Sequence, residues 1–292
     1  MANLTLYART LRLHQWVKNL LIFVPFLLGW QQVGWQPLGN VLLAFVAFGL
    51  CASASYVIND LLDREADRRH PTKRNRPIAA GAIGHGTAIG LAAVALFGGL
   101  GLAALGGHKL LMVVSVYLAT TLGYSFLFKS IAMLDVVVLG FLYTLRIIAG
   151  IIAAGVELSY WILVFSMFFF VSLAMLKRYS ELYNLRQREE ESVRGRGYCA
   201  HDLELMSALG TAAGYIAVLI MVLYIHDPVI AEKYAHPQWL WLVFPALLYW
   251  ISRMWLIAHR GDMNEDPVLY AIHDKPSYVV ALFCVLGFVL SL

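Results

Sequence analysis

Residues 59–81 read NDLLDREADRRHPTKRNRPIAAG, and they follow VLLAFVAFGLCASASYVI (41–58), a run without a single charged residue. The change at Asn59 is abrupt, because four acidic and six basic residues fall within eighteen positions, with most of the acids first. A long apolar run that ends in a charged segment is typical of a membrane helix leaving the bilayer. This junction therefore predicts both the fold class and the place of the polar chemistry.

The rest of the chain extends the same pattern. Of its 292 residues, 60% are hydrophobic and 14% are charged, against roughly 45–50% and about 25% in a soluble domain. The apolar residues form nine runs, each near the ~20 residues that cross a bilayer as a helix. The runs are 15–33, 39–59, 84–106, 110–127, 131–155, 159–177, 203–225, 238–258 and 276–292. We therefore predict an all-α polytopic membrane protein with nine transmembrane helices, built as a single domain over residues 1–292.

The basic residues predict the orientation. With a cytoplasmic N-terminus and nine crossings, 19 of the 22 Lys and Arg residues lie inside, Lys109 and Lys233 lie outside, and Arg146 lies within a helix. This segregation follows the positive-inside rule. It predicts a multi-pass protein of the cell (inner) membrane with its N-terminus and active site on the cytoplasmic side. Polar chemistry on one side favours an enzyme over a transporter, which would carry polar features at the bilayer midplane.

The acidic half of the quoted stretch predicts a metal site. Asp60, Asp63 and Asp67 are spaced i, i+3 and i+7, so a helix that continues past the bilayer places them on one stripe, beside Asn59. Mg²⁺ prefers oxygen ligands and usually binds through one or two carboxylates together with substrate phosphates. We expect these four residues to be the metal ligands, with the three aspartates also catalytic. The alternative, a solvated juxtamembrane loop, accounts for some arginines but not for acids in helical register.

The basic half suits a phosphate. Arginine makes bidentate contacts with phosphate oxygens and lysine acts as a point charge, and Lys73 and Arg76 follow the acids closely. Carboxylates for Mg²⁺ beside bases for phosphate predict a diphosphate ester as substrate.

The stretch 59–81 resembles the first aspartate-rich signature of the UbiA superfamily of intramembrane prenyltransferases, NDxxDxxxDxxxxxxxxRP. The resemblance implies a bundle around a central cavity open to the cytoplasm, capped by loops 60–83, 178–202 and 259–275. Family members usually carry a second motif, DxxxD, after helix six, and hold a prenyl diphosphate with two Mg²⁺ ions. The corresponding loop here, KRYSELYNLRQREEESVRGRGY (177–198), contains no aspartate. Transfer of a prenyl chain to an aromatic acceptor, the first alternative, therefore lacks an expected feature.

Several segments together resemble one branch of this superfamily, the decaprenyl-phosphate phosphoribosyltransferases. They are RLHQWVKNLLIFVPFLLG (12–29), the stretch 59–81, RIIAG (146–150), KRYSEL (177–182) and EDPVLYAIHDK (265–275). The resemblance implies Mg²⁺-dependent transfer of 5-phosphoribose from phosphoribosyl pyrophosphate to a polyprenyl phosphate, with release of pyrophosphate, for cell-envelope glycolipid or polysaccharide synthesis. Another sugar, a shorter lipid or a non-enzymatic transporter stays open, as does homo-oligomerisation, and we expect no nucleic-acid partner.

The resemblance also implies further substrate contacts. The residues after helix six would bind the ribose 5-phosphate or the lipid phosphate. Lys18 and Asn19 at the start of helix one, with Tyr124 and Lys129 at the end of helix four, would complete the site. Arg146 and Asp135 are ionisable residues within an apolar helix, which makes them functional candidates; for Arg146 a phosphate contact and a structural pair are both open. The substrate-binding set is Lys18, Asn19, Asn59, Lys73, Arg76, Tyr124, Lys129, Arg146, Lys177, Arg178, Tyr179 and Glu181.

Overall fold

Helices dominate the computed structural model of the chain, which describes residues 2–69, 73–187, 196–228, 232–263 and 266–292. Within these ranges, seven helical stretches are long and apolar enough to cross a membrane, and a pair bent by 87° could form an eighth crossing. The seven are Leu38–Leu62, His85–Leu105, His108–Phe126, Leu134–Ala154, Tyr160–Gln187, Ala200–His226 and Pro237–His259, and the bent pair is Pro267–His273 with Lys275–Ser291. The predicted all-helical polytopic fold is therefore confirmed, whereas the predicted count of nine helices is not.

The N-terminal region accounts for part of this difference. In place of one helix over 15–33, the chain forms α1 (Ala2–Thr10), a 3-10 segment (Leu13–Ile22), α2 (Phe23–Leu28) and α3 (Trp30–Val33). Proline has no backbone N–H to donate and is tolerated only in the first turn of an α-helix. Pro25 lies in the first turn of α2, so a single long helix through this position would be broken.

Two compact units make up the chain. The first comprises residues 1–126 and 145–157. Besides the N-terminal elements it contains α4 (Leu38–Leu62), α5 (Arg64–Arg69), α6 (His85–Leu105), α7 (His108–Phe126) and the second half of α8 (Leu134–Ala154). Helices α4 and α6 approach closely, because a Cβ atom on Gly99 would lie 2.6 Å from the Cys51 Sγ atom and 2.9 Å from the Ala47 carbonyl oxygen. Small residues at such contacts let membrane helices pack backbone to backbone.

The second unit comprises residues 127–144 and 158–292. It contains the first half of α8, then α9 (Tyr160–Gln187), α10 (Leu203–His226), α11 (Val243–His259), α12 (Pro267–His273) and α13 (Lys275–Ser291). The buried Ser172 hydroxyl joins three of these helices, since it donates to the Gly210 carbonyl oxygen (2.7 Å) and accepts from the Trp255 indole N–H (3.2 Å).

The three predicted charged loops contain helix in this structure. Residues 60–69 complete α4 and form α5, α9 extends ten residues beyond the predicted end at 177, and α12 occupies much of 259–275. Parts of the predicted cap (70–72, 188–195 and 264–265) lie outside the described residues, including the Glu189–Glu191 run. The extension of α9 matters for the site, because it places Lys177, Arg178 and Glu181 on a rigid helix.

Candidate active site

The three aspartates lie where α4 passes into α5. Asp60 belongs to the last turn of α4, Asp63 occupies the one-residue junction, and Asp67 lies on α5. The helical path continues through the junction, because the Asp63 amide donates to the Asn59 carbonyl oxygen (2.9 Å) and the Asp67 amide donates to the Asp63 carbonyl oxygen (2.8 Å). The helix therefore continues past the apolar run as the spacing predicts, and Asp60 and Asp67 come to lie on a common side.

Two arginines neutralise this side of the helix. The Arg76 Nη1 atom lies 3.1 Å from Asp60 Oδ1 and 2.6 Å from Asp67 Oδ2, so that one nitrogen bridges two carboxylates. The Arg12 Nη2 atom lies 2.6 Å from the same Asp60 Oδ1 atom. Asp60 and Asp67 are only 4% and 3% exposed, and buried carboxylates of this kind need paired cations.

Packing of the following loop places Arg76. Ile78 is 2% exposed and belongs to a hydrophobic cluster with Val57 of α4 and with Ile83, Ala88 and Ala92. The Arg68 Nε atom donates to the Ala79 carbonyl oxygen at 3.1 Å, which ties the loop back to α5. The segment after Arg76 thus folds onto the end of α4, and the Arg76 side chain is carried over the carboxylates.

Arg12 reaches Asp60 from a different element. It has a left-handed backbone (φ 50°, ψ 46°) at the start of the 3-10 segment, and its guanidinium lies 5.1 Å from the Tyr56 ring centroid. The Trp16 indole N–H donates to the Ser53 hydroxyl (3.0 Å), which donates to the Leu11 carbonyl oxygen (2.7 Å). Trp16 therefore joins the 3-10 segment to α4. Arg12 was not among the predicted site residues, although two that were, Lys18 and Asn19, lie on the same 3-10 segment.

Asn59 and Asp63 complete the acidic stripe, and the Asn59 side-chain amide donates to Asp63 Oδ2 at 3.0 Å. The predicted phosphate contact Lys73 is exposed on the short 3-10 turn Lys73–Asn75. Three carboxylates and an amide oxygen are the ligand chemistry that Mg²⁺ prefers, so the donor set fits that ion. Among the described residues, however, no three His, Cys, Asp or Glu side chains converge in a metal-binding arrangement. At Asp60 and Asp67, arginine nitrogens contact one oxygen atom of each carboxylate, Asp60 Oδ1 and Asp67 Oδ2.

A second polar cluster of the first unit surrounds Arg146. Its Nε atom donates to Asn19 Oδ1 (2.8 Å), its Nη2 atom donates to the Tyr117 hydroxyl (3.1 Å), and its guanidinium lies 4.9 Å from the Tyr117 ring centroid. All three side chains are at most 5% exposed. This cluster joins the 3-10 segment, α7 and α8, and the buried Asn19 Nδ2 atom has no hydrogen-bond acceptor among the residues that the structure describes.

The second unit carries a separate charged cluster, which we call the Asp135 cluster. Asp135 Oδ2 lies 2.7 Å from Arg178 Nε and 3.7 Å from Arg196 Nη1. Glu181 Oε2 pairs with Arg178 Nη1 and lies 3.5 Å from Arg196 Nε. Two of the predicted substrate contacts, Arg178 and Glu181, are therefore partners in a network of ion pairs, and Arg178 is only 1% exposed.

Tyr198 completes this cluster. Its hydroxyl donates to Asp135 Oδ1 at 2.5 Å and accepts from the Met133 amide at 2.7 Å. Burial, together with the hydrogen bond to Asp135, raises the pKa of Tyr198. The phenol therefore stays protonated as a donor, and it fixes the chain after Gly197 against the start of α8. Neither Tyr198 nor Arg196 was among the predicted site residues.

The other predicted contacts are distributed over both units. Lys177 Nζ lies 3.9 Å from Asp266 Oδ2, and the Tyr179 hydroxyl is 3.1 Å from His259 Nδ1. Lys18 is half-buried on the 3-10 segment, Tyr124 is half-buried on α7, and Lys129 is half-buried on the 3-10 turn Phe128–Ser130. Asn59, Asp60, Asp63, Asp67 and Arg76 are thus brought together within one unit, whereas Lys177, Arg178, Tyr179 and Glu181 belong to the other.

These features define a class, the multi-pass helical membrane proteins with a charged site where a helix leaves its apolar segment. The UbiA prenyltransferase family matches residues 20–290 of the chain. The chain therefore belongs to the UbiA prenyltransferase family, which is a family of transferases.

Similar proteins come from several bacteria. The chain is 41% identical over 283 residues to the uncharacterized protein y4nM of Sinorhizobium fredii, covering 97% of this chain and 55% of that protein. It therefore spans about half the length of y4nM. It is 37% identical over 289 residues to the nodulation protein NoeC of Azorhizobium caulinodans (98% and 92% covered). It is 42% identical over 284 residues to the decaprenyl-phosphate phosphoribosyltransferase of Corynebacterium glutamicum (95% and 84% covered).

A solved structure supports the fold. A UbiA homolog from Archaeoglobus fulgidus, bound to GPP and Mg²⁺, superposes with a TM-score of 0.71 at 19% identity and covers 97% of this chain and 98% of that one. At this identity the likeness concerns the fold alone.

Proposed function

We propose that this protein transfers 5-phosphoribose from phosphoribosyl pyrophosphate to a polyprenyl phosphate with release of pyrophosphate, and that the reaction requires Mg²⁺. The proposal joins two independent supports. One is the chemistry of the aspartate site, and the other is the similarity to the Corynebacterium glutamicum decaprenyl-phosphate phosphoribosyltransferase over most of both chains.

The observation that carries the proposal is the contrast between the two charged clusters. A prenyl diphosphate in this family would be held by two aspartate motifs, yet residues 177–198 contain no aspartate. The carboxylates of the Asp135 cluster are already paired with Arg178 and Arg196. A metal ion there would have to displace Arg178, whose side chain is 2% exposed on the long helix α9, from the fully buried Asp135 carboxylate, which is costly. One metal-binding stripe and one arginine-rich cluster suit a phosphorylated sugar donor better than a lipid diphosphate.

Asn59, Asp60, Asp63 and Asp67 would hold the Mg²⁺ ion. Bound there, the ion would supply charge stabilisation for the pyrophosphate leaving group. Arg76 adds positive charge beside Asp60 and Asp67, and Lys73 would add more from the preceding 3-10 turn. Electrostatic stabilisation of this kind contributes strongly to catalysis.

The bond changes require no general base. The bond between the ribose C1 atom and the pyrophosphate oxygen breaks, and an oxygen of the lipid phosphate forms the new bond to C1. That phosphate is already anionic at neutral pH, so no proton has to be removed from it. The protein's task is then to position two anionic substrates and to compensate their charge. Lys177, Tyr124 and Lys129 are proposed contacts to the phosphates, with Lys18 and Asn19 at the start of the chain.

The predicted orientation places this chemistry on the cytoplasmic side of the inner membrane, where a water-soluble sugar donor has access. The segregation of 19 basic residues against two supports this orientation. The product would be a lipid-linked pentose phosphate for the synthesis of a cell-envelope glycolipid or polysaccharide.

The test uses purified protein in lipid nanodiscs, Mg²⁺, phosphoribosyl pyrophosphate labelled in the ribose, and a polyprenyl phosphate. We expect label in the organic extract, one pyrophosphate released per labelled lipid, and loss of both signals with EDTA. Asp63→Asn should abolish them, whereas Asp262→Asn, which changes a carboxylate on the α11–α12 connection, should not.

A parallel assay offers labelled prenyl diphosphate and an aromatic acid. Prenylation of the acid, with no label transferred from phosphoribosyl pyrophosphate, would refute the proposal in favour of an aromatic prenyltransferase.

A further inference from the structure

The aspartate site contains its own cations. One nitrogen of Arg76 contacts both Asp60 Oδ1 (3.1 Å) and Asp67 Oδ2 (2.6 Å). These two carboxylates are among the proposed metal ligands, and Arg76 contacts one oxygen atom of each. The Arg76 nitrogen therefore lies between two of the side chains that would hold the ion.

The arginine and the aspartates differ in how firmly they are held. Asp60 and Asp67 are fixed by helix, with side chains only 5% exposed. The Arg76 side chain is 27% exposed and lies between a three-residue 3-10 turn and Pro77, outside any long helix. Long side chains at half-exposed positions reorient without disturbing the backbone that carries them. When the partners separate, the guanidinium is the group that can move.

We propose that Arg76 is a displaceable counter-cation. It holds Asp60 and Asp67 together in the metal-free protein, and a divalent cation that arrives with a diphosphate takes its place on these two carboxylates. The carboxylates then keep a cationic partner throughout, which avoids two uncompensated buried charges. The released guanidinium has a new anion beside it, because arginine makes bidentate contacts with phosphate oxygens. This inference rests on the divalent-cation part of the proposed function and not on the identity of the sugar.

The exchange predicts that free metal competes with Arg76. In the wild-type protein the metal must break both Arg76 ion pairs before it binds, whereas in Arg76→Gln only the Arg12 pair with Asp60 remains. Arg76→Gln should therefore bind Mn²⁺ alone roughly tenfold more tightly than the wild type, within the range usual for coupled binding events. Inorganic pyrophosphate should tighten Mn²⁺ binding to the wild type, because it gives the released Arg76 a partner.

The measurement is a Mn²⁺ titration of purified protein in nanodiscs, followed by electron paramagnetic resonance of free Mn²⁺ and by the thermal unfolding midpoint, with and without pyrophosphate. Arg74→Gln is the matched control. It removes the same charge from the same loop, but Arg74 is exposed on the 3-10 turn, so its Mn²⁺ affinity should equal that of the wild type.

If Arg76→Gln is poorly folded without metal, two further measurements test the exchange: the unfolding midpoint with Mn²⁺ and the Mn²⁺ affinity of Arg76→Lys. A larger rise of its unfolding midpoint with Mn²⁺ than in the wild type supports the exchange, and Arg76→Lys should show an intermediate affinity. The proposal is overturned if both variants bind Mn²⁺ no more tightly than the wild type. Since the probes are Mn²⁺ and pyrophosphate, a protein that shows the exchange but transfers no phosphoribose would refute the proposed function alone.

Discussion

Two clusters of this protein use the same residue types for different ends. The aspartate site pairs Asp60 and Asp67 with Arg12 and Arg76. The Asp135 cluster likewise pairs two carboxylates with two arginines. The difference lies in what carries the arginines.

In the aspartate site both arginines come from short segments, with side chains 21% and 27% exposed, and Asp63 adds a further acid. In the Asp135 cluster, Arg178 lies on a 28-residue helix with a side chain 2% exposed, whereas Arg196 lies outside the helices with a side chain 24% exposed. We therefore call the aspartate site the rearrangeable site. We call the buried ion pair of Asp135 with Arg178 the fixed joint.

The largest effect should come from breaking the fixed joint. Arg178→Met leaves the Asp135 carboxylate buried with one of its cations gone, and loss of one partner of a buried pair typically costs about 3–5 kcal/mol. We expect a large fall in the thermal unfolding midpoint in nanodiscs. The double variant Asp135→Leu/Arg178→Met should recover much of the loss, and a double variant as unstable as the single would contradict the ion-pair explanation.

The next effect should separate chemistry from stability. Asp63→Asn removes a charge from the rearrangeable site without removing a partner of Arg12 or Arg76. Because even the outer-shell partners of metal ligands typically account for about 10–100-fold in activity, we expect a fall in transfer rate of at least about 10-fold with an unfolding midpoint close to the wild type. A midpoint lowered as far as in Arg178→Met would remove the distinction between the two clusters.

A smaller loss of stability should follow from removing Ser53, whose hydrogen bonds hold the segment around Arg12 on α4. Ser53→Ala removes the acceptor of the Trp16 indole and the donor to the Leu11 carbonyl oxygen. Buried groups that lose a hydrogen-bond partner cost about 1–3 kcal/mol. The unfolding midpoint should fall accordingly. Ser55→Ala serves as a control, since within the described part of the chain the Ser55 hydroxyl donates to the Cys51 carbonyl oxygen of its own helix and to nothing outside α4. Equal losses in both variants would show that the Trp16 contact contributes nothing.

The smallest effect should come from an exposed pair beside the site. Glu65 and Arg68 form an i,i+3 ion pair with side chains 72% and 43% exposed. Exposed pairs contribute only about 0–1 kcal/mol. Glu65→Gln should therefore leave stability and transfer rate nearly unchanged, and a loss comparable to Asp63→Asn would add Glu65 to the functional acids.

The aspartate stripe illustrates how far sequence reasoning reaches. The i, i+3, i+7 spacing is a local property of helix geometry, so it predicts which carboxylates share a side, and Arg76 bridges Asp60 and Asp67 as that spacing requires. Arg12 could not be found in this way. It lies 48 residues from Asp60 in the chain, and only the packing of Trp16 against α4 brings the two together.

The segment 15–33 shows a different limit. Its hydropathy is sufficient for a membrane helix, but hydropathy does not report where a backbone can donate hydrogen bonds. Pro25 and the left-handed turn at Arg12 interrupt the α-helix, and only the folded chain shows that the 3-10 segment between them packs on α4 and holds Asn19 against Arg146.

The membrane class, the helical fold and the acidic stripe can be predicted from the amino-acid sequence, because apolar run length and helical spacing act over a few turns of one segment. The partners of those charges cannot, because they are set by long-range packing. Which arginine meets which carboxylate depends on elements far apart in the chain, and on how deeply each pair is buried. Arg178 and Arg76 have the same side chain, but they differ in burial and in the element that carries them. Arg178 is buried on a long helix, whereas Arg76 is partly exposed on a short loop.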